Sequence, residues 1–201
     1  MARRQLKKAR GRRPRERTTA HPPPERRVLM TSTENDTRDD LSVTLLPWEF
    51  KWCVDVANQR LAISNEKSLN HASTYERGHL ERIEQEITGA CAEMVVAKLL
   101  GKFWSPSVNT FHVTPDIEPN IEVRSTTRTD GSLVVRDNDS DDRWYVLVVG
   151  KPPTMKVAGC MRGADAKQDR WCRNPHGHRP AWFVPQGELL RPRPRASDVS
   201  A

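Results

Sequence analysis

Two acids and an arginine stand close together in the segment PDIEPNIEVRS, residues 115–125. Asp116 and Glu122 lie six residues apart, and Glu122 opens the triplet Glu-Val-Arg that ends at Arg124. The Pro-Asn pair between the two acids favours a turn, so their carboxylates could meet at adjoining strand ends. Neighbouring carboxylates repel each other unless a positive charge lies between them. The segment therefore predicts a site for a hard cation such as Mg²⁺, which prefers oxygen ligands. The alternative is an ordinary edge hairpin whose acids face solvent.

A third acid, Glu93, lies at the edge of the apolar stripe of a predicted helix, one turn after Gly89. If the helix approaches the strands at this glycine, Glu93 could reach the same cation as Asp116 and Glu122. Three acids could then position a metal ion and a water molecule against a phosphodiester bond, and the metal would activate the water. Arg124 could stabilise the phosphate or the charge that develops in the transition state.

The stretches that carry these residues are GACAEMVVAKLLG, PDIEPNIEVRS, and SLVVRDND followed by DDRWYVLVVG. Together they resemble the PD-(D/E)XK nuclease-like superfamily, and more closely its compact members encoded by bacteriophages and prophages. The resemblance covers roughly residues 47–190. It implies a restriction-endonuclease-like core and DNA cleavage that depends on Mg²⁺ or Mn²⁺. It also implies that the catalytic residues that hold the metal are Glu93 on the helix, Asp116 in the hairpin and Glu122 in the motif.

Arg124 departs from the family pattern, in which a lysine occupies this position. An arginine stays protonated and cannot take a proton from water, whereas a lysine with a perturbed pKa can. Arg124 can still stabilise negative charge. Two functions therefore remain open. One is a Mg²⁺-dependent DNA nuclease, and the other is a catalytically degenerate, non-cleaving DNA- or protein-binding module of the same fold.

Hydrophobic periodicity predicts the elements that must position these residues. An apolar stripe predicts a helix at 48–65 and a stronger one at 79–100, which Gly101 should end. Gly89 inside the second helix costs about 1 kcal/mol relative to alanine, and this predicts a neighbour packed close to its backbone. Apolar runs predict a short helix at 163–172 and strands at 107–113, 120–126, 131–137, 143–150, 154–161 and 181–185. The run at 143–150 is apolar on both faces and should be a central strand. This order favours an α/β or α+β sheet with helices packed on it, and we predict an α/β fold with a mixed central β-sheet flanked by helices.

Positive charge is concentrated at the N-terminus. Residues 1–30 contain eleven lysines or arginines and two acids, so the rest of the chain is slightly acidic although the net charge is +7. Residues 1–40 and 191–201 are too polar to offset the entropy of ordering, and we predict disordered tails around a single domain at 41–190. The basic tail could contact DNA phosphates through Arg3, Arg4, Arg12 and Arg13. It could equally be an extension without a partner, or translation could begin at Met30.

Other polar clusters carry weaker signals. Arg128 and Arg136 could contact DNA phosphates near the sheet, although such residues more often belong to a solvated face. The acidic segment DNDSDD at 137–142 lacks the spacing of a Ca²⁺ loop and is interpreted as a solvated turn. Cys172 lies near two histidines, at 176 and 178, but a second pair of ligands is missing from the sequence, so an incidental loop is favoured over a zinc site.

Several classes of protein are disfavoured. No apolar run approaches the roughly 18 residues that span a bilayer, and the basic N-terminus lacks the apolar core of a secretory signal. The sequence therefore predicts a cytoplasmic protein without a membrane partner, in the host cell cytoplasm if it is phage-encoded. It contains no P-loop, GxGxxG or GxSxG motif, which argues against nucleotide hydrolysis and serine esterase chemistry. Its oligomeric state is left open.

Overall fold

The structure is a computed structural model that describes residues 41–66, 78–108, 114–174 and 179–192. The predicted disordered segment 1–40 lies outside these residues, as does most of the predicted C-terminal tail. The greater part of the predicted strand at 107–113 and the two histidines near Cys172 also lie outside them. The described residues form two long helices packed on a four-stranded sheet, and a second sheet of three strands.

Two helices form where the apolar stripes predict them. α1 spans Pro47–Glu66 and α2 spans His79–Leu99. Proline suits the first position of α1 because an N–H there would have no helical partner. The Glu49 carboxylate accepts a hydrogen bond from the backbone N–H of Leu46 at 2.6 Å and binds the Lys98 ammonium at 2.7 Å. The first turn of α1 is thus capped and tied to the last turn of α2.

A glycine terminates α2, as the sequence predicts. Gly101 adopts a left-handed backbone with φ of 59°, which glycine tolerates because it has no Cβ. The backbone N–H of Lys102 then donates to the carbonyl oxygen of Ala97 at 2.8 Å, a bond typical of the Schellman motif. This closing turn fixes the direction in which the chain leaves the helix.

The interpretation of Gly89 as a point of close packing is wrong. A Cβ placed on Gly89 would meet no heavy atom within 4 Å beyond the local helix backbone. Gly89 therefore destabilises the helix without allowing a neighbouring element to pack closely against it. Glu93 reaches its position through the general packing of α2 and not through a close approach at this residue.

Replacing Gly89 by alanine should raise the free energy of unfolding by about 0.5–1 kcal/mol, because alanine restricts the unfolded backbone and fits the open space. Urea unfolding measures this change. Gly163→Ala is a control of the opposite sign, since its Cβ would collide with the backbone carbonyl oxygen of Ser140. A Gly89→Ala protein less stable than the wild type would contradict the open space.

The described residues contain seven strands: β1 at Ser42–Thr44, β2 at Ile121–Thr126, β3 at Leu133–Arg136, β4 at Trp144–Lys151, β5 at Thr154–Arg162, β6 at Cys172–Arg173 and β7 at Ala181–Val184. The four-stranded sheet has the order β1, β5, β4, β2. β2 pairs with β4 in parallel, and the other pairs in this sheet are antiparallel. β4 lies inside the sheet, as its apolar run predicts. The three-stranded sheet has the order β3, β7, β6 and is antiparallel.

The side chains of β4 alternate between two hydrophobic clusters, as a strand with both faces covered requires. Val146 and Val148 join the cluster that contains the buried residues of α1 and α2. Tyr145, Leu147 and Val149 join the cluster that contains the buried residues of β3 and β7. The four-stranded sheet is therefore the middle layer between the long helices and the second sheet.

The structure is a mixed α/β fold, but the sheet is not flanked by long helices on both sides. The second face is covered by the three-stranded sheet, together with the short helix α3 at Gly163–Ala166 and a 3-10 helix at Asp169–Trp171. These two short elements replace the single helix predicted at 163–172. A further 3-10 turn spans Gln186–Glu188. Of the described helices, none combines the length and the apolar composition that crossing a bilayer requires.

Candidate functional site

The three predicted acids lie on α2, just before β2, and on β2. Glu93 on α2 and Glu122 on β2 are buried, with 7% and 8% of their surface exposed. Asp116 is half-buried. The residue after Asp116 pairs with the first residue of β2 through two backbone hydrogen bonds of 3.0 Å, which closes the predicted turn. The Asp116 carboxylate then accepts a hydrogen bond from the backbone N–H of Val123 at 2.8 Å. These acids are therefore not spread over a solvent-facing hairpin.

Asp116 lies close enough to both glutamates for their charges to act on it. Burial, followed by the charges of Glu93 and Glu122, raises the pKa of Asp116 from 3.8 to about 7. The Val123 N–H and the Arg124 guanidinium lower the pKa but do not compensate for these effects. The ionised form of Asp116 is therefore disfavoured in the folded protein, and an added positive charge would stabilise it.

Glu93 is held by two donors from other parts of the chain. The Arg60 guanidinium donates one hydrogen bond to each carboxylate oxygen of Glu93, at 2.7 and 2.8 Å. The indole N–H of Trp104 donates to Oε2 at 3.0 Å. Arg60 also donates from Nε to the carbonyl oxygen of Ser107 at 3.0 Å. Arg60 thus joins α1, α2 and the segment that follows α2 through one buried ion pair.

Glu122 lies between two arginines. Arg143, just before β4, donates to Oε1 of Glu122, and the Arg124 guanidinium lies 3.6 Å from Oε2. Arg124 also binds both oxygens of Asp139 at 3.0 Å and lies 5.2 Å from the centre of the Tyr145 ring. Burial opposes the charge of Arg124, but Asp139, Glu122 and Asp116 outweigh it and raise the pKa of Arg124.

The interpretation of residues 137–142 as a solvated turn is wrong for Asp139. Its side chain is only 2% exposed and forms an ion pair with Arg124. The backbone N–H of Arg136 also donates to Oδ2 of Asp139 at 2.8 Å. A cavity of about 120 Å³ lies beside this turn, and its lining includes Glu122, Asp139 and Arg143. The turn is therefore part of the polar cluster around β2.

Several carboxylate oxygens already accept hydrogen bonds from arginines, which limits how a metal ion could bind. Among the residues that the structure describes, no group of three or more His, Cys, Asp or Glu side chains is arranged to hold a metal ion. Both oxygens of Glu93 accept hydrogen bonds from Arg60, so Glu93 could act as a ligand only if this ion pair opened. Glu122 has one oxygen, Oε1, bonded to Arg143, which leaves Oε2 as a possible ligand beside the Asp116 carboxylate. Mg²⁺ prefers carboxylate oxygens, and two carboxylates with waters are a common set. The donor set therefore fits Mg²⁺ on two acids better than on three.

Of the predicted DNA-binding arginines, the structure describes Arg128 and Arg136, and neither guanidinium binds the acids of this cluster. Arg128 is exposed, and its guanidinium pairs with exposed Asp130 at 3.0 Å. Arg136 is exposed at the end of β3. Arg3, Arg4, Arg12 and Arg13 lie outside the described residues. A role of these arginines in binding DNA stays a prediction.

Sequence reasoning missed Arg60, Trp104, Asp139 and Arg143. A signal existed for Arg60, which follows buried Val56 by four residues and buried Ala57 by three, so it continues the apolar stripe of α1. A charged residue on a buried stripe indicates a buried ion pair. The ion pairs of Asp139 and Arg143 have no local signal, because their partners Arg124 and Glu122 both lie on β2.

Comparison of the chain with protein-family models, curated proteins and solved structures found no match. The chemistry of the site is therefore argued from its own geometry. Four carboxylates, those of Glu93, Asp116, Glu122 and Asp139, lie among the guanidiniums of Arg60, Arg124 and Arg143. Such an arrangement can bind a cation at Asp116, the acid whose pKa is raised, and an anion at an arginine.

Proposed function

We propose that the protein is a Mg²⁺-dependent DNA nuclease of the PD-(D/E)XK type with a restriction-endonuclease-like core, acting on DNA in the cytoplasm. The observation that carries the proposal is the position of Asp116 beside buried Glu93 and Glu122, which raises its pKa to about 7. Acids kept together at this electrostatic cost are typical of functional sites. A cation would remove the cost.

Asp116 and Glu122 would hold the Mg²⁺ or Mn²⁺ ion, with Glu93 as a third ligand if Arg60 released it. The bound ion would supply an activated water and neutralise charge on the phosphate. Asp116 lines a cavity of about 430 Å³ and is half-buried, so a substrate could reach it from solvent. Oε1 of Glu122 accepts a hydrogen bond from Arg143, so Glu122 would bind the ion through Oε2, which lies 3.6 Å from the Arg124 guanidinium.

The arginines would bind the substrate and not accept protons. Since its acidic neighbours raise the pKa of Arg124, it stays charged at every pH at which the protein folds. Arg143 donates to Glu122 and the Arg124 guanidinium lies 3.6 Å from it, so a phosphate bound beside Glu122 would be close to both guanidiniums. Their role in the proposed reaction is to stabilise negative charge that develops on the phosphate.

One observation favours the second candidate, a DNA-binding module of the same fold that does not cleave. Arg60 already neutralises Glu93, and Arg124 stands where the motif has a lysine. A site whose acids are neutralised by arginines can keep its fold without a metal ion. This module would bind DNA equally well in the presence of EDTA.

Incubating the full chain with plasmid and oligonucleotide DNA in Mg²⁺ or Mn²⁺ tests the proposal. We expect cleavage by the wild type, no cleavage in EDTA, and a loss of about 100-fold or more in Glu122→Gln, because this variant loses a charged ligand. Glu84→Gln is the matched control, since Glu84 is an exposed acid of α2 outside the lining of both cavities and the variant should keep its activity. Circular dichroism confirms that both variants fold. Binding of DNA without cleavage at either metal would support the module instead.

A further inference from the structure

The segment that follows α2 presents an aromatic ring to solvent. Phe103 is 79% exposed, whereas the next residue, Trp104, is buried. Phe103 lines the cavity of about 430 Å³ that Asp116 also lines. Because it packs against little of the protein, its ring is accessible to a ligand in the cavity.

The position of Phe103 is fixed on both sides. Before it, the turn at Gly101 and the hydrogen bond from the Lys102 N–H to the Ala97 carbonyl set the chain direction. After it, the Trp104 indole binds Glu93 and packs edge-on against Trp52, with ring centres 5.4 Å apart. The backbone at Phe103 is therefore already ordered, which lowers the entropy lost when a ligand packs on the ring.

The rest of the cavity lining combines one cation, two acids and three residues that carry hydroxyl groups. Lys102 lines the cavity, and its ammonium donates to the carbonyl oxygen of Glu118 at 2.7 Å. The other lining residues are Ser105, Ser107, Thr114, Pro115, Asp116 and Glu118. The volume lies in the range of small-molecule sites. An aromatic face, hydroxyl groups and an ammonium match a base, its polar edge and a phosphate.

We propose that this cavity binds one unpaired nucleobase of a single-stranded nucleic acid, stacked on Phe103, with the adjoining phosphate near Lys102. The inference rests on the proposed function in one respect, that the substrate is a nucleic acid whose phosphate lies beside Asp116. Stacking on an aromatic side chain does not depend on sequence, because every base has a flat face. The site would therefore select for an unpaired or frayed strand and not for a base sequence.

Fluorescence anisotropy with a short labelled single-stranded oligonucleotide in EDTA tests this without cleavage. The full-length wild type should bind it more tightly than the same oligonucleotide with abasic positions. Phe103→Ala should weaken binding of the base-containing strand about tenfold or more and leave binding of the abasic strand unchanged. Phe103→Trp should retain tight binding, because it keeps a stacking ring.

Leu80→Ala is the matched control. Leu80 is 74% exposed at the start of α2, about 30 Å from the end of the helix that leads to Phe103. Its replacement should change the affinity for neither strand. Equal affinity of the wild type for the two strands, or of Phe103→Ala and wild type for the base-containing strand, would overturn the proposal. A Phe103→Ala protein that keeps its nucleic-acid affinity but has a smaller mass in solution would show that the ring serves self-association.

The cleavage test of the nuclease proposal and the binding test of the stacking site can fail independently of each other. Metal-dependent cleavage that is insensitive to Phe103 would leave the nuclease proposal standing and remove the stacking site. Stacking in EDTA without cleavage at either metal would leave the stacking site and support the binding module.

Discussion

Replacing Arg60 by methionine should lower the free energy of unfolding by about 3–5 kcal/mol. The change leaves the buried Glu93 carboxylate without the guanidinium that binds both of its oxygens, and an uncompensated buried charge is strongly destabilising. It also removes the bond from Arg60 to the Ser107 carbonyl oxygen. Urea unfolding of the wild type and the variant at neutral pH measures the difference.

Two controls separate the buried charge from the loss of side-chain volume. The double variant Arg60→Met with Glu93→Gln should recover much of the stability, because glutamine is neutral and can still accept from the Trp104 indole. Lys51→Met breaks an exposed ion pair with Asp55 of the same 2.7 Å length and should cost less than about 1 kcal/mol. A single Arg60→Met variant that loses less than about 1 kcal/mol would mean that Glu93 is well solvated.

Replacing Asp116 by asparagine should change how stability depends on pH. The folded protein raises the pKa of Asp116 to about 7 from an ordinary value of 3.8, so between these pH values the folded state holds a proton that the unfolded state has released. The wild type therefore loses stability as pH rises from about 4 to about 7, on the order of a few kcal/mol in total. Asparagine cannot ionise, so the variant should not show this loss and should be the more stable protein at pH above 7.

The measurement is urea unfolding across this pH range in EDTA, with the difference between variant and wild type taken at each pH. Asp130→Asn is the control, because the exposed Arg128 pair lowers the pKa of Asp130 and gives an effect of opposite sign. Adding Mg²⁺ above pH 7 should stabilise the wild type and not Asp116→Asn if Asp116 is a ligand. A difference that stays constant with pH would mean that Asp116 ionises freely.

Much of the fold follows from local patterns. The stripe of α2, the stop at Gly101 and the apolar run of β4 each carry their signal within one segment, and the structure has α2, its end and β4 where these patterns place them. β1 has only three residues, too few for a periodic pattern. The pairing of β3 with β7 joins segments about 50 residues apart, and no local pattern encodes such a partner. The second sheet was therefore not predicted as a separate layer.

The candidate site, like the fold, is predictable only where the signal is local. Asp116 and Glu122 were predicted from a short segment with its own turn, and that segment does form the turn. The partners of the acids come from elsewhere, since Arg60 lies 33 residues before Glu93 and Arg143 lies 21 residues after Glu122. Which arginine neutralises which buried acid depends on how the layers stack. A sequence pattern can therefore indicate the acids more easily than their partners.

The alternation of side chains along β4 has a consequence for how the domain opens. One strand supplies valines to the cluster under the helices and alternate residues to the cluster under the second sheet. Loss of β4 would disrupt both clusters, so the two layers should melt as a single cooperative unit. In native-state hydrogen exchange, the amides of β4 should be among the slowest to exchange and should do so only through global unfolding.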